Sequence, residues 1–331
     1  MAGLAAGASG SKPAEITVAD ADKREPVLLN ARQYLNHYWP ADLDSEDMFA
    51  LQFLHDVYSL PEVIQHATAG SLVEVGGGPV IDKLISASAC SGRIFHLDPS
   101  ASARKEIELW KEASPQAYDW SSRFQYVSTL EQKRASGGSG RDDSCNDISA
   151  LIEARLREAL FFIGNIDLLS ANRTAEVGGM ISPELSVLLQ RHPVTVVSSH
   201  CCIECITSSK DEYKKALDGL VSFCTLGSFL VMTVNVDTNE WYSCEVNISI
   251  PAFCISVESV LDELTKRGFS IIFHRLHNGK TKSEMPKTMA VLAKRTAKLM
   301  ASVSSPLSDP CVTQAPPEPS KASGRKQDVH D

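Results

Sequence analysis

The sequence predicts an α/β fold: a Rossmann-like, doubly wound, mostly parallel seven-stranded sheet with an antiparallel last strand and an N-terminal helical lid. Three observations support this. Short apolar segments alternate with helical segments through most of the chain, which is typical of a parallel sheet covered on both faces. The first strand runs into a glycine-rich turn. The last two strands are joined by a loop without a helix, so we expect them to pair antiparallel.

Local patterns place each element. Residues 29–39 are expected to form a short helix that stops at Pro40, and Asp44 or Ser45 can cap the next helix. Gly268 follows the last predicted helix, where a left-handed cap is expected. The strands are predicted at 71–75, 93–97, 160–166, 194–199, 229–235, 269–276 and 288–293, and the later helices at 80–88, 101–113, 148–158, 210–224 and 257–266.

The chain of 331 residues divides into one folded domain and two tails. With 43% apolar and 22% charged residues, it can bury a sizeable core. Residues 1–26 and 301–331 lack the periodic apolar residues that would offset the entropy of ordering, so we predict that both are disordered. The domain is expected over 27–300. It includes an irregular region at 124–127 and a flexible insertion at 128–147, which contains a Gly/Ser-rich stretch.

Charge and hydropathy exclude several kinds of partner. The formal net charge of −9 argues against nucleic acid, whose binding needs a basic surface. No apolar run approaches the roughly 20 residues of a membrane helix, and no secretory signal is recognisable. The nine cysteines are irregularly spaced and are expected to be free thiols. We therefore predict a cytoplasmic protein without nucleic-acid or membrane partners, and a monomer.

The glycine-rich turn after the first strand indicates a nucleotide site. Gly76, Gly77 and Gly78 end a strand and open a helix, which lets the backbone approach a ligand closely. Asp98 ends the next strand, 20 residues after Gly78, where a carboxylate can accept hydrogen bonds from ribose hydroxyls.

The residues around the turn favour S-adenosylmethionine as the nucleotide. A dinucleotide site needs a glycine at the sixth position of the motif, and Ile81 stands there. Glu74, just before the glycines, would repel a pyrophosphate but suits the cationic amino group of S-adenosylmethionine. A dinucleotide site and a turn without any ligand are the alternatives.

Five segments together resemble the nicotinamide, phenylethanolamine and thioether (indolethylamine) methyltransferases, a family of class I S-adenosylmethionine-dependent enzymes. The resemblance covers the folded body from about Ala31 to Leu292. Its most specific part is the Tyr-Leu-x-x-Tyr-aromatic element upstream of a Gly-x-Gly-Pro turn. The matching segments are Tyr34 to Trp39, Val73 to Pro79 followed by Ile81, Ala117 to Trp120, Ser199 to Glu204, and Gly227 to Val231.

The resemblance implies roles for individual residues. Tyr34 and Tyr38 would lie over cofactor and substrate, where aromatic faces attract the sulfonium cation. Without the resemblance, core aromatics would be the preferred interpretation of the two tyrosines. The other implied cofactor-binding residues are Glu74, Gly76, Gly77, Gly78, Asp98, Pro99, Asn165, Ile166 and Ser199. The implied substrate-binding residues are Tyr38, His200, Asn235 and Tyr242, and the implied catalytic residues are Tyr34 and Glu204.

Three positions depart from the family pattern. Asn165 stands where an acid usually binds the adenine, Ala103 where a polar residue is usual near the ribose, and Asn235 where an acid is common near the substrate. Glu204 keeps an acid in the neighbouring loop. Asp237 and Glu240 lie nearby and are expected to be solvated loop charges.

The implied reaction is an in-line displacement that moves a methyl group to the nitrogen of a small aromatic amine, arylalkylamine or pyridine. The protein supplies orientation, and a carboxylate can position an amine or accept its proton. Methylation of sulfur or selenium and a catalytically weak cofactor-binding scaffold are alternatives. His200, Cys201, Cys202 and Cys205 suggest zinc only weakly because no second ligand pair follows, so we predict no metal; a reactive thiol or buried small side chains are the other readings.

Overall fold

The computed structural model describes residues 30–136, 145–169, 181–243, 248–278 and 287–297, the side chains of 145–147 and 240–251 excepted. The helices are α1 (Ala31–Tyr38), α2 (Ser45–Val57), α3 (Pro61–Ala69), α4 (Ala101–Lys111), α5 (Ser121–Ala135), α6 (Cys145–Ala159), α7 (Pro183–Arg191), α8 (Ile203–Ile206), α9 (Lys210–Val221) and α10 (Val257–Lys266). The strands are β1 (Ser71–Val75), β2 (Ile94–Leu97), β3 (Leu160–Gly164), β4 (Val194–His200), β5 (Phe229–Val236), β6 (Glu240–Ser243), β7 (Ile248–Pro251), β8 (Phe269–His277) and β9 (Lys287–Arg295).

Seven strands form one sheet in the order β3-β2-β1-β4-β5-β9-β8. The first five run parallel, and β9 is antiparallel to both of its neighbours. The predicted fold class is therefore confirmed. The strand order reverses between β1 and β4, and ligands of open α/β sheets bind at such a reversal, outside the carboxyl ends of the strands.

The sheet separates two hydrophobic cores because alternate side chains of each strand point to opposite faces. Leu72 packs in the core on the side of α1–α6, and its neighbour Val73 packs in the core on the side of α7, α9 and α10. Glu74 shares the face of Leu72, so its carboxyl group points toward the N-terminal helices. This alternation places an acid of β1 beneath the N-terminal helical lid.

Helix α1 is attached to the body by polar contacts. Arg32 forms an ion pair with Glu106 of α4 at 2.6 Å and also donates to the carbonyl of Gln116 at 2.6 Å. The hydroxyl of Tyr118 donates to the carbonyl of Leu35 at 3.3 Å and to that of Trp39. These contacts act together with the side chain of Leu35, which is fully buried in the core beneath the helix.

Every predicted strand of the large sheet occurs, with ends within two residues of the predicted ones. Gly268 has φ +82°, which confirms the predicted left-handed cap. Asp44 is the cap of α2, and its side chain accepts hydrogen bonds from the backbone of Glu46 and Asp47. The periodic apolar pattern and the capping residues were sufficient to predict these strands and helix ends.

The predicted start of the flexible insertion is wrong. Residues 124–135, predicted as irregular chain and insertion, belong to helix α5, and α6 already begins at Cys145. The buried face of α5 includes Arg123, whose guanidinium pairs with Asp47 at 3.0 Å. A charged residue on the buried face hides the apolar periodicity from which a helix is predicted. Residues 137–144 lie outside the described residues.

Residues 80–88 form two 3₁₀ turns, Asp82–Leu84 and Ala87–Ala89, where we predicted an α-helix. No side chain caps the first turn, which follows the glycines and Pro79 directly. Helices α3, α7 and α8 and the hairpin of β6 and β7 were not predicted. Among the described residues, no helix is both long enough and apolar enough to cross a membrane. The predicted tails, 1–26 and 301–331, lie outside them.

Candidate active site

The glycine turn provides an open surface at the carboxyl end of β1. Gly76 and Gly78 have φ of +70° and +60°, a conformation that residues with a side chain rarely adopt. A Cβ atom at Gly76 would collide with Cys202, and one at Gly77 would collide with the His96 ring. A Cβ at Gly78 would meet no atom of the described residues within 4 Å. The turn is therefore packed against Cys202 and His96 at Gly76 and Gly77, and it is open at Gly78.

Asp98 is held beside this turn. Its Oδ2 accepts the backbone N–H of Gly78 at 2.8 Å, and its Oδ1 accepts that of Ser100 at 2.8 Å. Arg104 donates to the backbone carbonyls of Asp98 and Pro99 at 2.6 and 2.9 Å. A carboxylate accepts about four hydrogen bonds, so each oxygen of Asp98 keeps acceptor capacity for hydroxyl groups of a ligand.

Glu74 is a buried acid under the turn. Only 1% of the residue is exposed, and its Oε2 accepts a hydrogen bond from the hydroxyl of Ser198. Burial raises the pKa of Glu74 to about 8, so the group holds a proton at neutral pH. Nε2 of His200 lies 3.8 Å from Oε2 of Glu74, but burial lowers the pKa of His200 to about 3, so the imidazole is uncharged. A cation placed near Glu74 would favour its ionisation.

The carboxyl end of β4 lies next to the turn. Ser199 donates from its hydroxyl to the carbonyl of Val75 at 2.9 Å and so joins the ends of β4 and β1. Cys201 has φ +46°, a strained conformation for a non-glycine residue, and its N–H bonds to the carbonyl of Thr233 at 2.8 Å. His200 Nδ1 lies 3.2 Å from Thr233 Oγ1. Backbone strain of this kind clusters at functional sites.

A second buried acid, Glu204, stands on the short helix α8. Its Oε1 accepts the backbone N–H of Asn235 at 2.7 Å, whereas its Oε2 has no hydrogen-bond partner among the described residues. Only 1% of Glu204 is exposed, and burial raises its pKa to about 7. A carboxyl group that titrates near neutral pH can exchange a proton with a ligand.

Aromatic side chains of α1 cover this region. The rings of Tyr34 and Tyr38 have centroids 5.0 Å apart, and Tyr34 is equally far from Trp39. Burial, together with the neighbouring thiols of Cys205 and Cys201, raises the pKa of Tyr34 well above its usual value, so its hydroxyl stays protonated. Tyr34 therefore lies between the helical lid and the end of β4.

Comparison with known proteins agrees with this geometry. The sequence profile of the NNMT/PNMT/TEMT family matches residues 20–296. The chain belongs to this family. Phenylethanolamine N-methyltransferase of Sus scrofa is 26% identical over 271 residues, covering 80% of this chain and 84% of that protein. Indolethylamine N-methyltransferase of Oryctolagus cuniculus is 26% identical over 246 residues (72% and 82%), and nicotinamide N-methyltransferase of Sus scrofa is 25% identical over 248 residues (73% and 83%).

Membership of the NNMT/PNMT/TEMT family confirms the predicted resemblance, the enzyme class and S-adenosylmethionine as the cofactor. The structure brings most of the predicted site residues of this methyltransferase to one edge of the sheet. These are Tyr34, Tyr38, Glu74, Gly76, Gly77, Gly78, Asp98, Ser199, His200, Glu204 and Asn235.

For four other predicted residues, the structure gives less support for a place in that group. Pro99 and Asn165 are exposed after β2 and β3. Ile166 is 1% exposed and forms a bridge with Ile181, so its side chain is already packed in the core. Tyr242 lies in β6, paired with Ser249, and its side chain lies outside the described part of the chain.

Several residues of this methyltransferase's site were not singled out from the sequence. Ser198 faces the same side of β4 as His200, and the alternation of side chains along a strand is the signal that could have identified it. Asp82 and Lys83 follow the turn directly and form an ion pair at 3.1 Å. Asp82 and Lys83 become part of the site only through the positions of α1 and β4, and the spacing of residues along the sequence does not reveal those positions.

The cysteines next to this site are protonated thiols. Burial raises the pKa of Cys201 and that of Cys202 far above the usual value, and a thiol in that state is a poor nucleophile. In the described ranges, no group of three or more His, Cys, Asp or Glu side chains is arranged to hold a metal ion. Neither observation supports a zinc site at Cys201, Cys202 and Cys205.

Proposed function

We propose that this methyltransferase transfers a methyl group from S-adenosylmethionine to the nitrogen of a small aromatic amine, arylalkylamine or pyridine. The observation that carries the proposal is the buried carboxyl group of Glu204. It stands on α8, the short helix that follows β4, titrates near neutral pH, and has Oε2 without a partner among the described residues. Such a group suits an acceptor that must present an unprotonated nitrogen.

The residues at the turn fit S-adenosylmethionine. The space above Gly78 is open, Asp98 retains acceptor capacity for ribose hydroxyls, and Glu74 is an acid that can ionise beside a cationic amino group. Ser199, Pro99, Asn165 and the backbone of Ile166 complete the proposed cofactor contacts at the ends of β4, β2 and β3. When bound, S-adenosylmethionine supplies a methyl group on a sulfonium centre.

The rest of the site binds and orients the acceptor. The rings of Tyr34 and Tyr38 offer aromatic faces to a cation, an interaction of about 0.5–2 kcal/mol, and exclude water from above. Glu204 accepts a proton from the acceptor nitrogen or positions it by a hydrogen bond. His200, Asn235 and Tyr242 are the proposed walls of the acceptor pocket. Because imidazole stays neutral at His200, that wall does not repel a cationic amine.

The wider assignments follow the same proposal. The catalytic domain extends over 27–300 and acts as a cytoplasmic monomer on small molecules without nucleic-acid partners. Support comes from the acidic balance of the sequence, with a net charge of −9. Analytical ultracentrifugation of the full chain measures the oligomeric state, and a stable dimer would contradict this part.

One experiment tests the activity. The purified protein is incubated with S-adenosylmethionine labelled on the methyl group and, separately, with arylalkylamines, pyridines and thioethers, and the products are identified by mass spectrometry. We expect label on nitrogen. Label only on sulfur would favour the thioether type of activity, and cofactor binding without transfer to any acceptor would favour a scaffold.

A further inference from the structure

Lys83 places an ammonium group inside the site. It belongs to the 3₁₀ turn Asp82–Leu84, which begins four residues after Gly78, and only 15% of its side chain is exposed. Its Nζ lies 3.1 Å from Oδ2 of Asp82. Lysine is seldom buried to this extent, because removing an ammonium group from water is costly unless it is paired.

The pairing of Lys83 is incomplete. An ammonium group has three N–H donors, and within the described residues Asp82 supplies its one hydrogen-bond acceptor. Asp82 is fixed by a second donor, the indole N–H of Trp39 at 3.2 Å, while its Oδ1 is buried without a partner. The carboxylate thus holds Lys83 in place and leaves donors of the ammonium group for another acceptor.

The charge of Lys83 acts on the interior of the site. It contributes to the lowered pKa of His200 and opposes the rise in the pKa of Glu74 and that of Cys201. The nearby acid Asp47 is already paired with Arg123 at 3.0 Å. Glu74 lies just before the open glycine turn, and Lys83 lies in the 3₁₀ turn that comes after it, so the turn is flanked by an acid and a cation.

We propose that Lys83 binds the carboxylate of the α-amino-acid group of S-adenosylmethionine, with Glu74 receiving the amino group of the same zwitterion. The inference rests on the proposed function. An α-amino acid carries its two charges on one carbon, so a receptor needs a cation and an acid side by side. With Glu74 ionised, the charges of Lys83, Asp82 and Glu74 balance those of the bound cofactor, including its sulfonium.

The role of Lys83 is tested by removing the two partners of the proposed contact separately: the ammonium group of Lys83 and the carboxylate of the cofactor. Isothermal titration calorimetry measures the affinity of S-adenosylmethionine and of decarboxylated S-adenosylmethionine, which keeps the amine, for wild type, Lys83→Met, Lys83→Arg and Lys105→Met. Lys105 lies exposed on α4 in a surface ion pair with Glu108, so its variant is the control for charge removal. Thermal unfolding without ligand checks the fold of each variant.

For wild type we expect decarboxylation to weaken binding about 10- to 100-fold, the effect of one charge-assisted hydrogen bond. For Lys83→Met we expect the two ligands to bind equally, at the affinity of the decarboxylated ligand for wild type. Lys83→Arg should restore part of the preference for the carboxylate, and Lys105→Met should behave like wild type.

Other results would overturn the inference in distinguishable ways. If Lys83→Met weakens the binding of both ligands by the same factor, Lys83 has a structural role. The same conclusion holds if the variant still binds S-adenosylmethionine more tightly than the decarboxylated ligand by the wild-type ratio. A third outcome for Lys83→Met is unchanged cofactor affinity with a higher KM for an acceptor amine that bears a carboxylate, but not for the ester of that amine. In that case Lys83 contacts the acceptor, and its assignment to the cofactor is wrong. Absence of cofactor binding by wild type would refute the proposed function itself.

Discussion

The indole Nε1–H of Trp39 donates a hydrogen bond to Oδ2 of Asp82 at 3.2 Å. Trp39 ends the lid helix α1, and Asp82 begins the turn that follows the glycines, so this bond joins the lid to the cofactor-binding surface. The ring of Tyr34, which covers the end of β4, is 5.0 Å from that of Trp39. The position of the lid aromatics is therefore coupled to the same carboxylate that holds Lys83.

Replacement of the indole donor should loosen the lid. In Trp39→Phe an aromatic ring remains at this position, but Asp82 loses the indole N–H donor. Loss of a hydrogen bond to a charged group weakens the attachment of the lid by about 1.5–3 kcal/mol. We expect S-adenosylhomocysteine to dissociate about tenfold faster or more, measured by stopped-flow fluorescence. Trp110→Phe is the matched control, because it removes an indole–carboxylate bond of the same length, to Glu153, away from the turn. Faster dissociation in both variants would indicate a general loss of stability.

The open space above Gly78 predicts that an added methyl group will interfere with the cofactor. Alanine at φ +60° costs about 1–2 kcal/mol in stability. The protein should still fold, because no atom in the described part of the chain lies within 4 Å of the new Cβ. We expect Gly78→Ala to bind the cofactor at least about tenfold more weakly in calorimetry. Gly92→Ala, also at an open glycine but without positive φ, should bind normally. Normal affinity in Gly78→Ala would place the ligand elsewhere.

The fold was predictable where local pattern and burial agree. Strands β1, β4 and β5 are buried on both faces and contain short runs of apolar residues, so these runs and their alternation with helices were enough to identify them. Helix α5 was missed because Arg123, a charged residue, lies in its buried face. The hairpin of β6 and β7 consists of two four-residue strands outside the large sheet, too short for periodicity to identify.

The site was predictable where backbone geometry requires particular residues. Gly76 and Gly78 occupy conformations that favour glycine, so their spacing alone identified the turn. The pair of Asp82 and Lys83 has no such signature, because its partner Trp39 is 43 residues upstream and meets Asp82 only after α1 has packed. Tertiary contacts of this kind cannot be derived from spacing in one sequence.

The raised pKa of Glu204 predicts a pH dependence of catalysis. The group is protonated below about pH 7 and ionised above it. An aromatic amine of the aniline type is neutral across this range and must lose an N–H proton on methylation, so its kcat/KM should rise between pH 6 and pH 8 as Glu204 becomes able to accept that proton. Glu204→Gln should lower kcat/KM about 100-fold or more and remove this rise. Asp237→Asn changes an exposed acid of the neighbouring loop that pairs with Lys287, and it should leave the profile unchanged. An unaltered profile in Glu204→Gln would contradict a proton-accepting role.

Glu74 should make the cofactor-free protein less stable as the pH rises. Its pKa is about 8 in the folded protein and near 4.5 when unfolded, so between these values the folded protein binds more protons. The free energy of unfolding therefore falls with increasing pH across this window. Glu74→Gln cannot ionise, so it should become more stable than wild type from pH 6 to pH 8.5, by a difference that grows to a few kcal/mol.

The same substitution should have the opposite effect on the cofactor-bound protein, since an ionised Glu74 stabilises the cationic amino group and glutamine does not. Thermal unfolding at pH 6 and pH 8.5, with and without S-adenosylhomocysteine, measures both effects. Glu158→Gln, on the exposed surface of α6, is the control and should match wild type in all four conditions. If Glu74→Gln gains stability but binds the ligand as tightly as wild type, the buried acid limits stability without serving the cofactor.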